Sequence, residues 1–301
     1  MQILVDADSL VYLVGFAGQS SDYDCYILSG PKDAPLLVDR QQVKGLDEVA
    51  ALEAQLADGE WLEREHIITE EPLVNVLANV KRSLLAIEHA LRVDHKLSFG
   101  RMDLFLTGKG NHRNEYAKVK VYKGNRLDTP RPVHYEAIRE YLVRRWDARV
   151  VDGCEADDIV SIIAAAHKYD PEAVCIVSCD KDLTTVPGRL YNFRRREMKV
   201  LSAADARLNF YRQLITGDAT DNVPGCFRSG KAAAEVLVTQ SMTEKEMARS
   251  VLAEYEASRT RKGCPYADRE ASDVMREMGI LLHMQRREGE IWAIPALDDA
   301  E

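Results

Sequence analysis

Eight acidic residues fall into short, repeated spacings that suit metal-assisted hydrolysis: Asp6, Glu155, Asp157, Asp158, Asp180, Asp182, Asp218 and Asp221. Asp180 and Asp182 are two apart, so on extended chain both side chains point to the same side. Glu155 and Asp158 are three apart and share a face if helical. In a helix's first turn the dipole also favours their charge. Asp218 and Asp221 repeat the three-residue spacing within a glycine-bounded turn. Eight carboxylates in one place repel and raise one another's pKa. Divalent cations relieve this, because hard oxygen ligands suit Mg²⁺ or Mn²⁺. Two such ions, roughly 4 Å apart, can activate a water and stabilise the leaving oxygen of a phosphodiester. The competing reading of any single pair is a helix cap or an ordinary surface charge.

These acids need elements that bring them together. Residues 2–6 read as a buried strand ending on Asp6, and residues 9–16 as a helix. Residues 20–45 suggest a hairpin around Ser29-Gly30-Pro31, followed by a helix over 46–56. A long amphipathic helix is expected over 72–93 and a second buried strand over 102–106. Residues 108–132 lose hydrophobic periodicity and fill with Gly, Lys, Arg and Asn. Helix resumes over 133–146, strand over 148–151, helix over 155–167 and strand over 173–178. A hairpin is expected from 190–193 and 197–201. Ser202 is placed to cap a helix running to 215. Residues 217–230 form a glycine-rich turn, and the remainder is mostly helical. Alternating strands and helices imply an α/β fold with a largely parallel sheet. If the strands 2–6, 148–151 and 173–178 are parallel neighbours, their acids converge beyond the carboxyl ends.

The net charge of −9 does not advertise a nucleic-acid ligand, but its distribution does. Residues 101–149 hold twelve Lys/Arg against six Asp/Glu, whereas residues 20–72 hold thirteen Asp/Glu against four Lys/Arg. A local basic segment attracts phosphate inside an acidic protein. No apolar stretch approaches a membrane span and no secretion signal is read. The six cysteines form no CxxC pair, so reduced thiols and a cytoplasmic setting are expected. No Ser-His-Asp or Cys-His set suggests covalent catalysis.

Four acidic segments now stand in order: residues 3–8 (Ile-Leu-Val-Asp-Ala-Asp), 153–158 (Gly-Cys-Glu-Ala-Asp-Asp), 178–183 (Ser-Cys-Asp-Lys-Asp-Leu) and 216–225 (Thr-Gly-Asp-Ala-Thr-Asp-Asn-Val-Pro-Gly). With Tyr122-Lys-Gly-Asn-Arg126, their order and spacing resemble the 5′-nuclease (flap endonuclease) family. Bacteriophage 5′→3′ exonucleases and the 5′-nuclease domain of bacterial DNA polymerase I belong to it. The resemblance covers residues 1–19 and roughly 70–240.

The resemblance implies a PIN-like domain over 1–215, with an insertion at 20–70 and a helical arch at 108–132. It also implies a helical helix-hairpin-helix (H3TH) subdomain over 216–301. It implies cleavage of DNA near 5′ ends or flaps, leaving a 5′-phosphate and a 3′-hydroxyl, with RNA/DNA hybrid as a further candidate substrate. The eight acids would hold two Mg²⁺ or Mn²⁺ ions, directly or through water. Asp6, Lys123 and Arg126 would be catalytic, the latter two gripping the scissile phosphate. Tyr122 would stack on a base or else pack in the core, and Arg113 would contact an upstream phosphate. Gly225, Gly230 and Lys231 would meet duplex phosphates, with a potassium ion at the hairpin. A monomer in the cytoplasm is expected, that of the host if the chain is phage-encoded. It would be freestanding, since no polymerase sequence follows.

Two departures stand out. The Asp that usually follows the second strand is replaced by Thr107-Gly108, and Asp8 is the residue that could substitute for it. The second hairpin turn reads Arg228-Ser229-Gly230 rather than Gly-Ile-Gly. Besides an active nuclease, the alternatives are a DNA-structure-binding module of the same fold with impaired catalysis, and a PIN-type ribonuclease. The intact acidic pairs argue against the first, and the hairpin and the Tyr-Lys-Gly-Asn-Arg run argue against the second.

Overall fold

Strand and helix alternate as the apolar spacing predicts. The structure is a computed structural model that describes residues 1–126 and 130–297. Residues 127–129 of the expected arch and 298–301 of the expected helical subdomain lie outside the described residues. In chain order the elements are β1 (Gln2–Asp6), α1 (Ala7–Ala17), β2 (Gln19–Ser29), β3 (Leu36–Lys44), α2 (Gly45–Glu53), β4 (Glu60–Glu70) and α3 (Leu73–His89). A π turn (Ala90–Asp94) precedes β5 (Met102–Thr107), α4 (Arg113–Tyr116), α5 (Tyr135–Trp146), β6 (Arg149–Val151), α6 (Ala156–Ala166) and β7 (Val174–Val177). Then come β8 (Gly188–Asn192), β9 (Glu197–Leu201), α7 (Ala203–Thr216), α8 (Lys231–Leu237), α9 (Glu244–Arg259) and α10 (Ala271–Leu282).

The chain forms two compact units. The larger comprises Met1–Leu10, Ser83–Pro130 and Arg139–Glu301. Its sheet has six strands in the order β6-β5-β1-β7-β8-β9, of which only β9 runs antiparallel. β1 lies in the middle, with Ile3, Leu4 and Val5 fully buried, because a parallel strand covered on both faces must be apolar throughout. α6 lays Ala156, Val160 and Ala164 against Leu4, Phe105 and Ile176. A second core gathers Phe210, Tyr211, Leu214, Tyr255, Tyr266 and Met275 from α7, α9, α10 and their connections. Ser202 caps α7 as expected, its side chain accepting from the backbone N–H of Asp205 at 3.1 Å.

The smaller unit comprises Val11–Arg82 and Arg131–Ile138. It carries an antiparallel sheet in the order β3-β2-β4, with α2 packing Val49 and Leu52 against Cys25 and Ile27. The hairpin at 20–45 is present, but β4 is not foreseen by the apolar pattern. Its eleven residues include Glu60, Glu63, Arg64, Glu65 and Glu70, and most of them face solvent.

Two expectations are corrected. The three acid-bearing strands are not all neighbours, because β5 stands between β1 and β6. They are nonetheless parallel, so their carboxyl ends share one rim. Secondly, the described part of the expected arch holds only the four-residue α4 and a 3-10 turn (Gly124–Arg126).

Candidate functional site

Asp6 closes β1 at the rim and is 6% exposed. The Ser178 hydroxyl, at the end of neighbouring β7, donates to its carboxylate at 2.7 Å. Burial pushes the Asp6 carboxyl up to about 7, reinforced by Asp8. The same Ser178 oxygen accepts from the Asp180 backbone N–H, and Asp180 accepts from that of Asp182. Asp182 is buried and accepts from the Gln213 amide at 2.6 Å. Burial, then Asp180 and Asp218, push its carboxyl up to about 8. Asp218 lies beside it with the Lys181 ammonium at 2.9 Å. Burial opposes ionisation of Asp218, but the Lys181 contact outweighs it and lowers the pKa.

The second group gathers at the start of α6. Glu155 occupies the N-cap position, where its backbone N–H donates to Asp158. Arg113 sends two N–H groups to Asp158 at 2.6 and 2.9 Å and two more to the carbonyls of Leu281 and His283, and it lies 3.4 Å from Glu155. Arg113 and Asp158 are both fully buried. Asp158 also accepts from the Gln285 backbone, so each of its oxygens already has two donors. This corrects two expectations. Arg113 has no face toward a phosphate, and Asp158 has no open face toward a metal ion; the pair fixes the start of α6. Asp157 differs: burial, then Glu155 and Asp158, raise its carboxyl well above the usual range.

The Tyr122–Arg126 run covers this group. The Tyr122 hydroxyl stands 2.8 Å from Glu155 and 2.9 Å from Asp221, and its single proton serves one at a time. Its ring is buried with the second core, so packing is its observed role rather than base stacking. Lys123 holds a left-handed backbone at φ 54°, and its ammonium contacts Glu155 and lies 3.7 Å from Asp221. Burial opposes the ionised form of Glu155, but Lys123 and Arg113 hold its pKa down. Arg126 donates to Asp221 at 2.5 Å and to the Thr220 carbonyl at 3.0 Å.

The loop that carries Asp218 and Asp221 is closed by paired backbone hydrogen bonds between Asp218 and Val223, both 2.8 Å. Gly217 and Gly225 form its neck at φ 67° and 63°. A side chain at Gly217 would meet the Val223 carbonyl at 2.2 Å, and one at Gly225 the Gly217 nitrogen at 2.4 Å. Gly225 is buried and its carbonyl accepts from the Tyr266 hydroxyl, so it shapes the loop instead of facing phosphate or potassium. Gly230 and Lys231 are exposed at the start of α8.

At the end of β5, Gly108 is closed in: a Cβ there would lie 2.1 Å from an Asp152 oxygen and 2.7 Å from the Val151 carbonyl. Asp8 faces this place. It accepts from the Thr107 backbone N–H and from Arg139, each at 2.9 Å. Ser178, Lys181, Gln213 and Arg139 escaped the sequence reading. Only Lys181, between Asp180 and Asp182, carried a local signal.

The structure therefore brings the acids to one rim in two groups: Arg113, Lys123 and Arg126 bridge Glu155, Asp158 and Asp221, whereas Asp6, Asp180 and Asp182 are linked through Ser178 and backbone N–H groups, with Lys181 on Asp218. Among the described residues, no three His, Cys, Asp or Glu side chains are grouped closely enough to hold one ion. No described helix is long and apolar enough to cross a membrane.

No family model matches the chain. It is 27% identical to an exonuclease of Escherichia phage T7 over 146 residues, 47% of this chain and 48% of that protein. It is 29% identical to an exodeoxyribonuclease of Enterobacteria phage T3 over 127 residues, 40% and 41% of the two chains. It is 26% identical to DNA polymerase I of Bacillus caldotenax over 166 residues, 49% of this chain and 18% of that one. The matched stretch spans less than half the length of each relative. In fold the chain is similar to a T5 5′-exonuclease with divalent metal ions (zinc) bound, with a TM-score of 0.50, 16% identity, and 93% and 88% of the two chains covered.

Proposed function

We propose that the acidic rim is a divalent-metal-dependent nuclease site that hydrolyses DNA phosphodiesters near 5′ ends or flaps, leaving a 5′-phosphate and a 3′-hydroxyl. The similarities to exonucleases and to a polymerase support nuclease chemistry in general. The resemblance of the acidic segments to those of 5′-nucleases supports the 5′-end substrate, and a charge count supports the metal dependence. Glu155, Asp158, Asp218 and Asp221 pair with the cationic side chains Arg113, Lys123, Arg126 and Lys181, whereas Asp6, Asp157, Asp180 and Asp182 pair with none of these. Burial favours the protonated form of Asp6, Asp157 and Asp182; once ionised, the four would balance the charge of two divalent cations, and every donor is a hard oxygen. That donor set fits Mg²⁺ or Mn²⁺. Asp6, Glu155, Asp157, Asp180, Asp182, Asp218 and Asp221 would hold the ions, which would supply positive charge against which a phosphodiester is polarised.

The chain's own groups do the remaining work. Lys123 and Arg126 rest on carboxylates that the ions would also engage. Both side chains are partly exposed, and each can hold a non-bridging oxygen of a phosphate. Arg113 keeps Asp158, and with it the start of α6, in place. Gly230 and Lys231 offer exposed donors to the duplex backbone.

The test uses 5′-labelled duplex, flap and RNA/DNA hybrid substrates with Mg²⁺ or EDTA. Cleavage that persists in EDTA, or that survives Asp180→Ala with Asp182→Ala, rules the mechanism out. Substrate that is shifted in a gel but stays intact identifies a DNA-binding module instead.

A further inference from the structure

The turn between β8 and β9 reads Phe193-Arg194-Arg195-Arg196, and Lys199 follows on β9. β8 runs parallel to β7, so this turn stands at the same rim as Asp180 and Asp182. Between the turn and the residues after β7 lies a cleft of about 540 Å³. Arg194, Arg195, Lys199 and Lys181 line it, against Asp180 and Glu197. Arg194, Arg195 and Lys199 are exposed, and none has an ion-pair partner among the described residues. The other cations of the rim, Lys123, Arg126 and Lys181, each rest on a carboxylate.

Three exposed cations without ion-pair partners, gathered on one cleft, make a local positive field that attracts a polyanion even on an acidic protein. Asp180 belongs both to the cleft and to the acidic rim, so a phosphodiester chain passing over the rim continues into the cleft. Lys123 contacts Glu155, which follows β6, whereas the arginine turn follows β8. Basic groups thus flank the acids on both sides, as a strand crossing the rim requires.

We propose that the cleft formed by Arg194, Arg195 and Lys199 binds the sugar-phosphate backbone of the substrate DNA adjacent to the cleaved bond, on the side away from Lys123. This rests on the nuclease reading for its substrate, yet it is testable by binding alone. The affinity of the full-length protein for a fluorescein-labelled 5′-flap duplex is measured by anisotropy in EDTA across a salt series. Each lost phosphate contact lowers the slope of log K against log salt by about 0.7–0.9. The Arg194→Ala, Arg195→Ala, Lys199→Ala triple variant is expected to lose two to three such contacts, a slope smaller by about 1.4–2.7. Its melting temperature should match the parent's, because no ion pair is broken. If it melts earlier, the single variants Arg194→Ala and Arg195→Ala are read instead, each expected to lose about one contact, and Arg194→Lys to retain it.

The control is Arg144→Ala with Arg145→Ala. This exposed pair lies at the end of α5, which leads into the amino end of β6 and so away from the acidic rim. A slope and affinity unchanged in the cleft variant, or lowered equally in the control, overturn the proposal. Cleavage by the parent in Mg²⁺ reports separately on the nuclease reading. Absent cleavage with a reduced slope in the cleft variant sinks that reading and leaves the DNA site standing.

Discussion

The Arg113 guanidinium meets the Asp158 carboxylate through two hydrogen bonds of 2.6 and 2.9 Å, with both side chains fully buried. Removing one partner of such a pair strands a charge in the interior, at a cost of about 3–5 kcal/mol. Arg113→Ala is therefore expected to lose stability of that order in urea denaturation. Because the guanidinium does not reach solvent, the salt dependence of DNA binding by the folded fraction should not change. A near-normal denaturation midpoint with a shallower salt slope would restore the phosphate-contact reading.

Lys123 presents the opposite case. Its ammonium is partly exposed and rests on Glu155 and Asp221 rather than deep in the core. A cation aimed at developing charge contributes on the order of 10²–10³-fold to rate. Lys123→Ala should lower single-turnover cleavage by that factor while leaving the melting temperature within a few degrees. A rate within threefold of the parent would remove Lys123 from the catalytic machinery.

The metal-free protein should also lose stability as pH rises. Burial first, then neighbouring carboxylates, push Asp6 up to about 7 and Asp182 up to about 8, both from 3.8. A carboxyl whose folded pKa is raised holds its proton more tightly when folded. Its contribution is complete below about pH 4 and is lost as pH rises through 7 and 8. Melting in EDTA should therefore fall across that window, and Mg²⁺ should restore it at the alkaline end. Asp6→Asn with Asp182→Asn should flatten the dependence. A melting temperature that climbs with pH in EDTA contradicts the assignment.

The rim was legible in the sequence because an acid directly after a buried strand has few places to go. Asp6, Asp180 and Asp182 follow runs whose apolar content fixes both the strand and its end. Their partners were not legible. Arg113 is 45 residues from Asp158, and Gln213 is 31 from Asp182. Which cation meets which acid depends on chain paths that spacing does not encode. β4 was missed for a different reason. It pairs with β2 through eleven backbone positions, yet its many charges dilute any alternating pattern. The hydrogen-bond ladder, rather than burial of one apolar face, defines that strand.

The loop bearing Asp218 and Asp221 makes a prediction about glycine. Gly217 and Gly225 have positive φ and approach each other's backbone too closely for a side chain. Gly217→Ala must open the paired bonds between Asp218 and Val223, which displaces both acids together. Loss of stability of about 1–3 kcal/mol is expected, with loss of the melting shift produced by Mn²⁺. Gly230→Ala, where nothing lies within 4 Å of a Cβ, is the matched control and should change neither.

The last prediction concerns the acid missing after β5. Restoring it by Gly108→Asp looks attractive from sequence, but the space is taken. A Cβ would stand 2.7 Å from the Val151 carbonyl, which itself accepts from the Gly108 N–H at 2.6 Å. The Asp152 carboxylate can swing away from its 2.1 Å clash, whereas that carbonyl belongs to the β5–β6 edge and cannot. Gly108→Asp should cost about 1–3 kcal/mol and gain no metal affinity. Asp8 already presents a carboxylate at this place, oriented by Thr107 and Arg139 and close enough to Asp6 and Glu155 to repel both. Asp8→Asn keeps the shape and removes the charge. It should weaken Mn²⁺ binding in calorimetry by about 10–100-fold, as losses of oriented partners around metal sites do. Parent-like affinity in Asp8→Asn, together with tighter binding in Gly108→Asp, would show that metal binding depends on the β5 end after all and that Asp8 serves to hold Arg139.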